Sequence, residues 1–190
     1  MTRRLSGFEV AERIRSRFPD AVVEETADWV VLKPDHLVEV MYFIRDDEAL
    51  DAKFLNMLCG VDRIEDFEVV YHVSSLTKNH TFALKVRTDH DHPSVPSVVP
   101  VWLGAHLQER EAYDLMGIRF EGHPSLKRLF LWEGFPGHPL RKDFVRLPGG
   151  QKPGLARFPK EAPGRTGGEF RPELGGPVHD LPGDEPYMKD

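Results

Sequence analysis

Thiols are nearly absent from this chain of 190 residues, in which Cys59 stands alone. A single cysteine excludes an intrachain disulfide and favours an intracellular compartment. It also excludes a self-contained iron–sulfur cluster, which normally takes four thiolates. Cys59 sits in FLNMLCGVD among apolar neighbours. That is the setting of a buried core thiol, since a reactive one needs an electropositive, accessible site. Long apolar runs are also missing. No stretch approaches the ~20 residues that a membrane-crossing helix needs, and no charged-then-apolar leader opens the chain. The expectation is a cytosolic protein whose membrane association comes through partners. Positive charge is not in excess either. A net charge of −6 is a poor match to nucleic acid, whose phosphates call for a basic footprint. No glycine-rich strand–loop–helix fingerprint is present, which leaves nucleotide binding by the standard loops unsupported.

What is present reads as one domain with a real core, followed by an appendage. Ser6 and Glu9 form a capping box, after which Phe8, Ala11, Ile14 and Phe18 recur at helical spacing until Pro19. Ala21–Glu25 and Trp29–Lys33 are β-prone and separated by a turn. Residues 35–45 read as a helix with Leu37, Val40, Met41 and Ile44 on one face, and residues 54–61 read as a strand. Phe67–Leu76 and Thr81–Thr88 predict an antiparallel hairpin turning at Lys78-Asn79-His80. Thr88 to Pro100 carries three prolines and reads as extended or irregular. Trp102–Met116 then predicts a helix closed by Gly117 in the left-handed conformation, with Ile118 folding back onto Tyr113. These elements in this order imply an α+β fold, an antiparallel or mixed sheet with helices packed on one face. The domain boundary is placed after residue 147. Residues 148–190 hold nine glycines and eight prolines with no hydrophobic period, which predicts an extended arm held by partners.

Two stretches concentrate the polar chemistry, EREAYDLMGIRFEGHP (109–124) and GHPLRKDF (137–144). Glu109, Glu111 and Asp114 could be taken for paired catalytic carboxylates. Helical geometry distributes them around the helix and sets Arg110 four residues from Asp114, which predicts structural or interfacial pairing. The His90-Asp91-His92 triplet reads as a solvated loop, because no second ligand cluster lies at a recognised spacing. His123-Pro124 and His138-Pro139 each follow a glycine and mark two chain reversals whose imidazoles make hydrogen bonds. A metal site using both histidines, or a phosphate site at Lys127, Arg128, Arg141 and Lys142, is an open alternative. Arg141 is better suited as a bidentate partner for Asp114 or Glu111, a pairing that sets geometry more than stability. From the residues alone, a binding module or assembly subunit leads over a free-standing enzyme built on Glu109, Glu111 and a histidine.

EREAYDLMGIRFEGHPSLKRLFL followed by GHPLRKDF resembles the signature of the 30-kDa subunit family of respiratory complex I, the C subunit of bacterial NADH–quinone oxidoreductase. Weaker similarity runs through YHVSSLTKNHTFALKVR and Pro96–Val98, and the whole spans about residues 5 to 147. The resemblance implies a non-catalytic peripheral-arm subunit of a proton-pumping NADH–quinone oxidoreductase, packed on the large 49-kDa-type subunit that builds the quinone pocket. It implies no cofactor in this chain, with FMN, iron–sulfur clusters and quinone in partner subunits. The position implied is peripheral, on the cytoplasmic face of the cell membrane. Glu109, Arg110, Glu111, Tyr113, Asp114, Gly117, His123, Pro124, Gly137, His138, Pro139, Leu140, Arg141, Lys142 and Asp143 would hold the C-terminal half in shape and dock it. The chain departs from the family pattern at His106-Leu107, where an Asn–aromatic pair is common. It also departs at Met116, where an aromatic is usual, and at Val145, where proline is common. An equivalent subunit of a membrane-bound hydrogenase, or of another ferredoxin- or quinone-linked oxidoreductase, is the alternative within the resemblance.

Overall fold

A computed structural model describes residues 2–132, 135 and 137–145 of the protein. Its contacts divide the chain into two units, Met1–Leu129 and Phe130–Asp190, each described by itself. The boundary expected after residue 147, and the arm beyond it, fall outside the described residues.

In the first unit, β1 (Arg3–Arg4) leads into α1 (Gly7–Arg15). The capping box forms as expected, with Ser6 Oγ accepting from the Phe8 N–H and Glu9 Oε2 from the Ser6 N–H. The buried face is Gly7, Val10, Ala11 and Ile14, and Phe8 is 54% exposed. Phe8 therefore does not belong to the core stripe, because at 3.6 residues per turn it points roughly 110° away from the centre of that face. Gly7 has a steric reason to lack a side chain. A Cβ there would lie 2.3 Å from the Thr26 carbonyl oxygen and 2.6 Å from that of Trp29. Both are backbone atoms that cannot swing aside. Gly7→Ala is expected to destabilise the fold by about 1–3 kcal/mol, read as a lower denaturant midpoint.

β2 (Val22–Glu25) and β3 (Trp29–Leu32) form a hairpin, tied at its turn by Thr26 Oγ1, which accepts from the Asp28 and Trp29 N–H groups. A 3-10 turn at Pro34–His36 opens α2 (Leu37–Asp46), whose Leu37, Val40, Met41 and Ile44 are wholly buried, as the spacing predicted. Burial on that scale stabilises by about 1.5–3 kcal/mol per side chain. β4 (Phe54–Asp62), β5 (Asp66–Ser75) and β6 (His80–Asp89) follow as an antiparallel meander. Asn79 takes the left-handed turn position at φ 53°. His80 joins the strand, and its Nε2 lies 2.7 Å from the buried Leu50 carbonyl.

The segment expected to be irregular before the third helix contains β7 (Ser94–Pro96). The third helix, α3, runs Ala105–Met116, and β8 (Arg119–Glu121) pairs in parallel with β7. Val95 sits opposite Phe120, and both are buried, so tertiary packing overrides the local proline signal. α3 begins three residues later than expected, because Trp102 lies in the preceding turn with its indole N–H on the Ala52 carbonyl at 3.1 Å. Gly117 closes the helix at φ 79°, its N–H bonding the Tyr113 carbonyl, and Ile118 is buried.

The main sheet is mixed, in the order β2-β3-β6-β5-β4, with β3 parallel to β6 and β1 parallel to the start of β6. Three helices cover the face that carries Phe67, Val69, Tyr71 and Val73, which completes an α+β fold. The alternate residues of β5 and β6 face away. There Glu68 accepts from Lys85, Arg63 and Arg87, and Lys85 Nζ stands 4.1 Å over the Trp29 ring. Burial pushes the Glu68 carboxyl up, and its bonds to Lys85 and Arg87 outweigh that and hold it below its ordinary range. Among the described residues, no helix is long and apolar enough to cross a membrane.

In the second unit, Trp132 and Phe135 meet edge to face with centroids 4.6 Å apart, and a 3-10 turn spans Lys142–Val145.

Candidate functional site

α3 carries five of the sequence-selected residues, Glu109, Arg110, Glu111, Tyr113 and Asp114. Glu109 points into the core and is wholly buried. Its Oε2 accepts from Ser97 Oγ at 2.6 Å and its Oε1 from the Val98 N–H at 2.7 Å. The helix thereby grips the loop that follows β7. Burial pushes the Glu109 carboxyl up to about 7, against the opposing pull of Ser97 and Val98. Tyr71 lies on the same side of the sheet, and burial with the nearby Glu109 charge raises its phenol well above its ordinary value. Its Oη has no hydrogen-bond partner among the described residues.

Asp114 is also wholly buried, and its Oδ1 meets Arg128 Nη1 at 3.0 Å while its Oδ2 accepts the Leu129 N–H at 2.9 Å. The expected Arg110–Asp114 pairing is not what forms. Arg110 instead donates to the Lys127 and Arg128 carbonyls, both at 2.9 Å. Two side chains one turn apart thus pin the same stretch, one through its backbone oxygens and the other through its guanidinium and an amide. Glu111 is exposed, and Tyr113 is partly buried against the core edge. The three carboxylates go to three separate places, an arrangement that fastens neighbouring segments to the helix.

His123 sits after Gly122, whose φ of 80° makes the chain reversal expected from the sequence. Its Nδ1 accepts the Ser125 N–H at 3.0 Å, so the proton resides on Nε2, which donates to the His106 carbonyl at 3.0 Å. The two imidazoles, His106 and His123, lie 4.6 Å apart. Burial lowers the His123 pKa, and the neighbouring His106 and Arg110 charges add to this against the carbonyl bond. Protonating Nδ1 would cost the Ser125 bond. His123 therefore supports the fold above the ordinary imidazole value, and that support is lost as pH falls through the lower folded one. Replacing it by Gln should flatten stability against pH just below 6.5, measured by urea unfolding at several pH values.

His90 departs from the solvated-loop expectation. Its ring stacks on Phe67 with centroids 4.7 Å apart, and its Nε2 lies 3.8 Å from the buried Asp62, while His92 is exposed as expected. Met116 fits the gap over Gly60, where a Cβ would come within 2.6 Å of the Met116 sulfur. That close approach accounts for a flexible thioether at this position.

The second signature lies in the second unit. Gly137 turns the chain at φ 87°, and a Cβ there would meet the Phe144 ring at 3.0 Å. His138 then accepts the Arg141 N–H on its carbonyl at 3.1 Å, and Arg141 accepts the Phe144 N–H at 3.2 Å. Pro139 and Leu140 form the tight turn between them, and Lys142 and Asp143 open the 3-10 turn. The pairing of the buried carboxylates with Ser97, Val98, Arg128 and Leu129 was missed in sequence. No spacing rule reaches across 11 to 15 residues of chain.

Residues 30–148 match the family described as the 30 Kd subunit of respiratory-chain NADH dehydrogenase. The C subunit of the NADH-quinone oxidoreductase of Roseiflexus sp. (strain RS-1) is 46% identical over 146 residues, covering 73% of this chain and 84% of its own. The C 2 subunit of the NADH-quinone oxidoreductase of Rhizobium etli (strain CIAT 652) is 38% identical over 185 residues, 96% of this chain and 94% of its own. Among solved structures, the trypsin-resistant fragment (1-134) of Nqo5 aligns at a TM-score of 0.51 and 32% identity, covering 63% of this chain and 98% of that one. The membrane-bound sulfane sulfur reductase, an archaeal respiratory membrane complex, shares the fold at a TM-score of 0.59 and 22% identity, covering 74% of this chain and 86% of that one.

Proposed function

Given that this chain belongs to the family of the 30-kDa subunit of respiratory-chain NADH dehydrogenase, we propose that it is a non-catalytic peripheral-arm subunit of a proton-pumping NADH–quinone oxidoreductase. It docks on the large quinone-pocket subunit and holds the arm in shape while electrons pass from NADH to quinone. FMN, the iron–sulfur clusters and quinone belong to partner subunits in this reading. The chain sits at the cytoplasmic face of the membrane through the complex. One observation carries it: the buried carboxylates Glu109 and Asp114 spend their oxygens on the chain's own Ser97, Val98, Arg128 and Leu129. Groups committed in this way order a surface, and chemistry is left to the neighbours.

The test is to isolate the tagged chain from a membrane extract and identify what accompanies it. The large quinone-pocket subunit and other arm subunits are expected. FMN or an iron–sulfur spectrum in the pure chain would overturn the proposal, and co-purified nickel would place the chain in a hydrogenase-type complex. In the same host, Arg141→Ala should reduce the amount of assembled complex more than the turnover per assembled complex. Full assembly with lost turnover would point to chemistry at this site instead.

A further inference from the structure

We propose that the outward face of β4, turned away from this chain's own helices, is covered in the complex by a helix of another subunit. That helix lays an apolar stripe along Phe54, Met57 and Val61 and brings a lysine or arginine to Glu65. This rests on the assembly reading above and specifies its surface.

Strand pairing decides which side chains share a face. Leu55, Leu58, Gly60 and Asp62 stand opposite Val73, Tyr71, Val69 and Phe67, on the side the helices cover. Phe54, Met57, Cys59 and Val61 stand opposite Ser74, His72, Val70 and Glu68, on the other side. An antiparallel sheet with one solvated face carries polar side chains there. β4 does the reverse. Each of those four outward residues is apolar or a thiol, while its charge, Asp62, points inward and is buried. Asn56, at the bulge between them, turns its carboxamide to Ser74 Oγ at 2.7 Å. Phe54 is 48%, Met57 45% and Val61 38% exposed, and Cys59 is half-buried. On β5 the strip takes in Val70, which is buried; beyond it β6 turns Lys85 and Arg87 to the same side, both bonded to Glu68. With strands about 4.8 Å apart, the strip is about 10 Å across, which suits one helix and is too narrow for a second sheet. From Phe54 to Val61 it runs about 20 Å, roughly four helical turns.

An independent observation marks the Val61 end. Ile64, in the turn to β5, has φ 82° and is 51% exposed. A β-branched residue is disfavoured in that left-handed conformation, whereas Asp51 and Asn79, which also adopt it, are of types that tolerate it. The turn imposes it, with the Ile64 N–H on Asp62 Oδ1 at 2.7 Å and the Arg63 N–H on the Asp66 carbonyl at 2.9 Å. Glycine would take this position without strain, and isoleucine adds an apolar side chain in the open. Strain kept at an exposed apolar residue points to a contact outside the chain. Glu65 beside it supplies the charge that selects the occupant. It is exposed and has no ion-pair partner among the described residues, because its neighbour Arg63 pairs with Asp66 and Glu68. A carboxylate at the end of an apolar strip fits an amphipathic helix with a cation at that end.

The experiment places a photo-crosslinking residue at Met57 and compares alkylation of Cys59, the chain's one thiol, in the free chain and in the purified complex. Read by mass spectrometry of its peptide, Cys59 should react about tenfold or more slowly in the complex. The crosslink should fall on a helix of another subunit with apolar residues three and four apart. Met57→Asp with Val61→Asp should lower assembled complex by about tenfold or more, while the circular dichroism and thermal midpoint of the free chain stay unchanged. Ile64→Gly should raise that midpoint by about 2–4 °C and still lower assembly, a split that a merely structural turn would not give. Glu65→Lys should also lower assembly, and reversing the crosslinked helix's cation to Glu should restore it. Equal Cys59 alkylation in both states, full assembly of Ile64→Gly, or a crosslink to a second copy, to lipid or to an extended segment would overturn the inference and leave the assembly reading standing. A wild-type chain that enters no complex would overturn the assembly reading itself.

Discussion

Asp114→Ala is expected to lower unfolding stability by about 3–5 kcal/mol, the usual consequence of removing one partner from a buried charge pair. Asp114 is wholly buried, and the side chain of Arg128 is 23% exposed. The substitution leaves that guanidinium and the Leu129 amide without the oxygens they now bond. Asp114→Asn, which keeps an acceptor for one of the two donors, should lose less. Urea unfolding of the two single variants, of Arg128→Ala and of Asp114→Ala/Arg128→Ala gives the coupling directly. A coupling energy near zero would mean that the pair does not anchor residues 127–129.

The second large effect belongs to Glu109 and has the opposite dependence on pH from the usual carboxylate. Its ordinary value is 4.5, and in the fold it is pushed up to about 7. Between those values the native protein holds a proton that the unfolded chain has released, so stability falls as pH rises through that window. At 1.36 kcal/mol per pH unit, the loss attributable to Glu109 from pH 4.5 to above 7 is about 3 kcal/mol. Glu109→Gln should remove that decline. The amide copies the protonated carboxyl, accepting from the Val98 N–H while donating to Ser97 Oγ. Stability curves of wild type and Glu109→Gln should therefore diverge from about pH 4.5 upward and run parallel above about 7, with the variant more stable at pH 8. Curves parallel throughout would show that Glu109 is ionised in the fold at ordinary pH.

How far the sequence could be read depends on the range of the interaction concerned. The capping box at Ser6 and Glu9, the left-handed Gly117 and the buried face of α2 involve residues within one or two turns, where local geometry admits few solutions. The pairing of β7 with β8 involves segments about 25 residues apart, and nothing in the intervening chain announces it. Helical spacing correctly placed Arg110 and Asp114 within reach of each other. It could not say that in a crowded site the backbone carbonyls of Lys127 and Arg128 would take the guanidinium first. Similarly, the hairpin of β5 and β6 was plain from its alternation. That β4 ends the sheet, with α3 packed beside it, followed only from the finished topology.

The periodic core was sufficient to set the α+β class, and the resemblance carried by the two dense polar stretches to set the family. They are properties of composition and of near neighbours, and the linear order of residues contains them in full. Which oxygen of Glu109 meets which loop, why Asp114 answers to Arg128, and which strand ends the sheet beside α3 were decided in three dimensions. Those outcomes depend on desolvation and on competition among donors that become neighbours only when the chain has folded.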